Sequence, residues 1–486
     1  MIVSLRPRSS APVAGAQPRQ HIHLVARSTQ HETAPSTRRL SRARHGATGL
    51  LKLALLTAAC TPCFADDVSD EVLNKAFYTY RAGAPKADGI APGSVINKGN
   101  VEAAKAHLSS AMYEFIKKGE YEMQVGETFD FSTHAKYVEA TRKNALNVKL
   151  DPNGTLKNYV AGRPFPQEPD LKDPAAGLKL AWNFQYGRVW GDLGCIEPFI
   201  WDYKSYDTGK VERSIVFDKF CFKRYAFRTV DEPTPEFTPN PSNLYRGIYV
   251  RVSAPQDLAN TQLLIQKFKD DTKLSDAYLY LGFQRRVRRL ATGQTTDAFL
   301  GSDLMIEDFE GYNGRISDMT WTYKGTKTLL LPFWDRAAVK SKGRQHKAAG
   351  EDGSVWEYTG FGGKAQCHQD APFQLRTTYV IEATPKDSSH PVSKRVYYMD
   401  AQTAELPIVE IYDRKGELWK QFVIGWVHAD RGADPVNKGK GADIGDTFSM
   451  IDVQAKHCTT GSFRGKVDAG LVHDGIFSVQ NMRGGN

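Results

Sequence analysis

Between Trp182 and Trp426 the chain is a succession of short runs rich in Val, Ile, Tyr, Phe and Trp, punctuated by turn residues. The runs are Arg188–Trp190, Glu212–Arg228, Tyr245–Ala254, Gln262–Lys269, Ala277–Leu281, Arg285–Leu290, Met319–Tyr323, Thr326–Pro332, Leu375–Ala383, Lys394–Asp400, Leu406–Tyr412 and Leu418–Trp426. They have strand composition and strand length, and no helical pattern alternates regularly with them. This favours a long antiparallel meander over a Rossmann fold or an α/β barrel, which both need a helix between successive strands. Asp413-Arg414-Lys415-Gly416 is a turn between the last two runs. The proline-rich stretch Asp231–Asn243 reads as a loop, and no repeat of fixed period is present.

Helices are expected ahead of the strands. Asp70–Tyr80 and Thr133–Leu146 are candidates, and Asn100–Gly119 is the best of them. In the last, Val101, Ala104, Leu108, Met112, Phe115 and Ile116 recur at helical spacing, with Asn100 placed to cap and Gly119 to stop. A proline-rich connector then runs from Pro164 to Pro174. The expected class is α+β. Residues 1–65 read as a disordered extension plus leader, 66–180 as a helical part, 181–430 as the antiparallel sheet and 431–486 as an irregular C-terminal extension.

The leader is a secretory signal. Arg42, Arg44 and His45 form a basic region, Gly49–Ala59 is apolar but too short to span a bilayer, and Cys63-Phe64-Ala65 supplies small residues for cleavage before Asp66. Lipidation at Cys60 is the alternative, although Thr57 stands where a lipoprotein signal wants Leu. The leader holds nine of the 64 basic residues and one of the 55 acidic ones, so the remainder carries 55 and 54, a net charge near +1. The chain's overall +9 is mostly leader, and no case for nucleic acid or an anionic membrane rests on it.

Four cysteines lie beyond the leader: Cys195, Cys221, Cys367 and Cys458. An oxidising compartment makes disulfides the default, and four cysteines allow three pairings. Cys195–Cys221 with Cys367–Cys458 is favoured, because the first two flank one hairpin. A metal site is the alternative, since Cys367-His368 and His457-Cys458 mirror each other. Adjacent side chains on a strand point to opposite faces, which disfavours it.

Catalytic signatures such as GxSxG and the Walker loop are absent, and Gly439-x-Gly441-x-x-x-Gly445 lacks dinucleotide spacing. Asp303, Glu307, Asp308 and Glu310 cluster carboxylates, for which a solvated loop is expected ahead of glycosidase chemistry. Arg285-Arg286-Val287-Arg288-Arg289 is the densest basic run. It suits a charged edge strand that resists sheet-to-sheet aggregation, or a seat for anionic headgroups.

Several of these segments resemble a known family. Tyr280-Leu281, Gln284 to Leu290, Ser302-Asp303-Leu304 and Asp308-Phe309-Glu310-Gly311 are similar to the core of LolA-like outer-membrane lipoprotein-sorting proteins. The chain resembles more closely the bacterial family called domain of unknown function 1329. Tyr159 to Pro166, Lys179 to Asn183, Glu382-Ala383 with Ser393 to Asp400, and Tyr412 to Lys420 also match. The likeness runs from about Asn100 to Trp426 and fades beyond about Asp430. It implies a strongly curved antiparallel sheet, a LolA/LolB-like half-barrel with helices across its concave face, and an apolar cavity between them. It also implies a periplasmic protein of a Gram-negative bacterium, peripheral to the outer membrane. The partners it implies are an outer-membrane channel or an inner-membrane exporter. It assigns no catalytic residue, cofactor or metal.

Strand alternation nominates Trp321, Tyr323, Tyr379, Ile381, Val396, Tyr398, Phe422, Ile424 and Trp426 as cavity lining. Three functions compete. A carrier of a lipid or other hydrophobic small molecule, accessory to envelope transport, fits the pattern and the resemblance. A secreted enzyme acting on a lipid or glycan needs convergent polar groups. An envelope assembly factor needs an exposed apolar patch.

Overall fold

The computed structural model describes residues 67–291, 295–340, 342–347, 355–432 and 434–484. Ala65, Asp66 and Cys60, and with them the cleavage and lipidation readings, lie outside the described residues.

Besides a single α-helical turn at Val101–Ala104, the described front of the chain holds three longer helices, α1 (Asp70–Phe77), α2 (Ser110–Lys117) and α3 (Ala135–Asn144). The single helix expected over Asn100–Gly119 is broken. A turn at Val101–Ala104 and a 3-10 turn at Lys105–His107 end at extended Leu108, and Ser109 starts α2 by accepting a hydrogen bond from the Met112 amide. A serine inside an apolar periodicity offers the backbone an alternative partner, and here that partner restarts the helix. Asn100 does not cap. Its side chain is bonded to Asn97 and Val95 instead. A fourth helix, α4 (Ala176–Gln185), falls where strands were expected to begin, and buries Leu180, Ala181 and Phe184.

Sixteen strands form one sheet. They are β1 (Val95–Ile96), β2 (Met123–Gly126), β3 (Leu193–Ser205), β4 (Val211–Arg224), β5 (Leu244–Ala254), β6 (Gln262–Phe268), β7 (Asp276–Leu281), β8 (Arg286–Arg289), β9 (Met319–Leu331), β10 (Phe333–Trp334), β11 (Phe373–Pro385), β12 (Val392–Asp400), β13 (Ile408–Asp413), β14 (Leu418–His428), β15 (Asp443–Asp452) and β16 (His457–Val467). The spatial order is β1-β2-β11-β12-β13-β14-β15-β16-β3-β4-β5-β6-β7-β8, with β9 on β11 and β10 on β14. The expected runs at 319–323 and 326–332 are one strand, β9, interrupted by an irregularity between Tyr323 and Gly325. The run at Arg188–Trp190 is not a strand; only Val189 makes a bridge, to Asp443.

The stretch 431–486 is not an irregular extension. It supplies β15 and β16, which sit mid-sheet between β14 and β3 and join its two halves. Their Gly-, Ser- and Thr-rich sequence has loop composition, yet all ten residues of β15 are buried. Gly461 shows why: a Cβ there would lie 2.1 Å from the Phe448 ring. A small residue beside a large one lets the ring lie flat on the sheet.

The sheet is curved and not closed; its path runs from short β1 to β8, and β9, paired only with β11, is a further free edge. β8 and β9 are consecutive in the chain, so the link between them must cross the open side of the half-barrel. Cross-strand register identifies the face it crosses. Ile381, Tyr397, Val409, Phe422, Met450, Thr459 and Tyr203 follow one another as direct partners on one face. The connector and α4 lie on this concave face. Helix α2 lies on the opposite one, where the Ser110 hydroxyl and the Ala111 amide donate to the Glu410 carboxylate. The convex face also carries both disulfides, Cys195–Cys221 and Cys367–Cys458, paired as favoured from the sequence. A C-terminal strap places Phe477 and Met482 against Leu264 and Tyr280 there. Among the described residues no helix is long and apolar enough to cross a membrane.

Candidate ligand cavity

The concave face is aromatic because alternate positions on β3, β4, β14, β15 and β16 carry rings. Phe199 packs at 4.3 Å from Phe463, Trp201 at 4.9 Å from Phe217, and Phe422 at 5.6 Å from Phe448. Between these rings lies an apolar cavity of about 40 Å³, closed by Leu304 and Phe309 of the connector. It has room for about three water molecules, and its lining is almost wholly carbon. Phe309 inserts as a wedge, 5.5 Å from Phe220 and 5.4 Å from Phe299. The connector is therefore a plug seated in the half-barrel.

The four clustered carboxylates fasten that plug, and the solvated loop expected of them is not what the structure shows. Asp303, Glu307 and Asp308 are buried, and the Glu310 side chain is nearly so. Each meets a different strand or the same strong cation. Glu310 accepts two hydrogen bonds from Arg246 on β5, at 2.7 and 2.8 Å. Arg395 on β12 donates to Asp308 at 2.8 Å and sits 3.0 Å from Glu307. Asp303 accepts from Thr459 on β16 at 2.7 Å, and Lys420 on β14 donates to the Asp303 carbonyl. Paired, bidentate contacts of this kind are strong and set geometry. Acidic composition hid the pairing, because the partners lie from 64 to 156 positions away in sequence and no local pattern announces them.

These acids respond differently to burial. Burial pushes Asp303 up to about 6, against Thr459 and Lys420. It raises Asp308 as well, while for Glu307 the nearby Arg395 and His390 outweigh burial and hold the carboxyl low. Lys267, beside Arg246 in the β5–β6 register, is lowered to about 8 by burial and by that guanidinium.

Seven of the nine nominated residues share the concave face, and three of them, Phe422, Ile424 and Trp426, line the cavity. Trp321 is buried and stacks 5.5 Å from Tyr397, and Ile381 is fully buried beside it. Tyr323 and Tyr379 are half-buried towards α4 and meet edge-on at 6.1 Å. Val396 and Tyr398 are on the other face. The Tyr398 hydroxyl donates to Glu410 under α2, and the residues of β12 that face the plug are Arg395 and Tyr397. A parity slip of one residue exchanges the faces of a strand. Sequence reasoning missed Trp190, Ile196, Phe199, Trp201, Phe220, Phe222, Phe448 and Phe463, which complete the lining. Alternation on Phe220 and Phe222 was a usable signal. Phe448 and Phe463 lay in the stretch read as irregular.

Among the described residues of the plug, no free acid–base pair emerges. Both ring nitrogens of His390 are engaged, one with Glu307 at 3.1 Å and one accepting from the Val392 amide. Cys195 and Cys221 approach Glu197, but their sulfurs are bonded to each other. The mirrored Cys-His dipeptides form a disulfide, with His368 buried and stacked on Tyr121. Of the basic run Arg285–Arg289, Arg286–Arg289 form the edge strand β8, and Arg285 lies in the turn before it.

The family profile described as protein of unknown function (DUF1329) matches residues 95–483. The chain belongs to this family. The match continues through β15 and β16, past the point near Asp430 where the resemblance read from the sequence fades. The chain is 26% identical over 346 residues to Uncharacterized protein PA3922 of Pseudomonas aeruginosa, covering 68% of each. Among solved structures it is similar to a DUF1329 family protein from Desulfovibrio piger, with 16% identity, TM-score 0.42, and coverage of 64% of this chain and all of that one. It is also similar to a putative outer membrane lipoprotein-sorting protein domain from Vibrio parahaemolyticus, with 16% identity, TM-score 0.40 and the same coverage. A LolA superfamily protein from Nitrosomonas europaea has 10% identity, TM-score 0.32, and coverage of 59% of this chain and 91% of that one.

Proposed function

We propose that the protein is a periplasmic carrier that binds a lipid or another hydrophobic molecule on the concave face of its half-barrel, as an accessory to envelope transport. The observation that carries this reading is the plug. An apolar, ring-lined hollow is occupied by a removable segment of the chain itself, held by buried ion pairs instead of continuous strand pairing. A hollow of about 40 Å³ does not admit an acyl chain, so cargo enters by displacing Leu304 and Phe309. Two disulfides suit an oxidising compartment, and the cargo needs shelter from water on its way between membranes.

A fluorescent fatty acid titrated into the purified protein tests this. Trp190, Trp201 and Trp426 line the hollow and transfer energy to a probe seated there. Saturable one-to-one transfer is expected. Absence of transfer across a panel of fatty-acid and sterol probes removes the reading.

A further inference from the structure

The hairpin of β7 and β8 ends in Gly282-Phe283-Gln284-Arg285, and its side chains do not suit a solvated turn. Phe283 is 73% exposed, more than any other large apolar residue described. Arg285, Arg286 and Arg288 are exposed beside it, and none has an ion pair among the described residues. Asp276 on β7 pairs with Arg289, and Asp257 pairs with Arg213. The charge is local, because beyond the leader the chain is close to neutral.

An edge strand needs charge to stay unpaired, which accounts for the arginines alone. It does not account for a bare phenylalanine at the tip, which works against that protection. An aromatic ring flanked by cations is the arrangement that settles at a membrane interface, ring among the acyl chains and guanidinium groups on phosphates. The base of the same hairpin, Arg289 and Leu290, forms one wall of a groove of about 1200 Å³ between the free edges β8 and β9, opposite Met319 and His390. The plug residues Ile306 and Glu307 lie along this groove.

We propose that the β7–β8 hairpin docks the protein on an anionic phospholipid surface, with Phe283 inserted and Arg285, Arg286 and Arg288 on headgroup phosphates, so that the groove beside the plug opens onto the bilayer. This goes beyond the carrier reading, and the two fail separately. Protein that takes up the fatty-acid probe but ignores vesicles overturns docking alone, and vesicle binding by protein that takes up no probe removes the carrier alone.

The test is co-sedimentation with vesicles of phosphatidylethanolamine and phosphatidylglycerol, against vesicles of phosphatidylcholine, at low and high salt. Binding to the anionic vesicles that weakens with salt is expected. The combined variant Arg285→Gln, Arg286→Gln, Arg288→Gln is expected to lose affinity on the order of a hundredfold, about fivefold for each arginine near the surface. Phe283→Ser is expected to bind weakly and wholly salt-sensitively. All these positions are exposed, so melting temperatures serve as the control for folding. A Phe283→Trp variant gives a second reading: brominated lipid quenches the added fluorescence. Equal binding to phosphatidylcholine, unchanged binding by the triple variant, or no quenching at position 283 overturns the proposal.

Discussion

Phe309→Ala separates a plug from an ordinary core loop. Phe309 is 4% exposed and closes the hollow among Phe220, Phe299 and Trp201. Truncating a buried phenylalanine costs about 3–5 kcal/mol when the surroundings do not collapse. Phe299 belongs to the plug, but Phe220 and Trp201 are fixed on the sheet and hold their side of the hollow open. The deletion adds roughly 100 Å³ to the hollow, bringing it near the size at which an apolar cavity stays dry and takes up benzene. Urea unfolding of the variant, with and without benzene or a fatty acid, is the assay. A loss of about 3–5 kcal/mol is expected without ligand. About 2.7 kcal/mol should return at a ligand concentration a hundred times Kd. A loss below about 1 kcal/mol would show that the ring is not packed as described. A full loss that no apolar ligand restores would show that the hollow does not bind.

Three further outcomes follow from the same contacts. Glu310→Ala strands buried Arg246 without a counter-charge and should cost about 3–5 kcal/mol, while Arg246→Met with Glu310→Leu should recover most of it; equal losses in the single and double variants on denaturation would contradict the latch. Burial raises Asp303 from 3.8 to about 6, so the folded state binds an extra proton in that window and stability from this group falls as pH rises through it. Asp303→Asn should therefore gain up to about 3 kcal/mol over the parent at pH 8 and almost nothing at pH 3, and a difference independent of pH would refute the assignment. Replacing Cys367 and Cys458 by serine opens a separation of 91 residues and should cost about 4–5 kcal/mol, against about 3–4 for Cys195 and Cys221 at a separation of 26, so the reverse order in thermal melts would argue against the chain-entropy account.

The long strands were legible because β5, β6, β11, β12 and β14 are dense in branched and aromatic residues, which suit a pleated surface. β15 and β16 were not, since glycines that accommodate Phe448, Phe463 and Trp190 look like loop residues until their neighbours are known. Side chains on β14 were assigned to the correct face, and those on β12 were not. The difference is one residue of register, set by partners and not by composition. The acids of the plug carried no local mark of burial, because Arg246, Arg395, Lys420 and Thr459 reach them from distant strands. The disulfides were readable, because Cys195 and Cys221 fall directly opposite each other on the hairpin of β3 and β4.

The central claim is that the hollow under the plug holds apolar cargo. Native mass spectrometry of the protein, isolated without detergent from the envelope of the cell that makes it, tests this directly. The account predicts a population heavier than the polypeptide by one defined mass, released into organic solvent as a single class of hydrophobic molecule and diminished by substitutions that fill the hollow. A spectrum of the bare polypeptide alone, unchanged after incubation with membrane lipids, would contradict it.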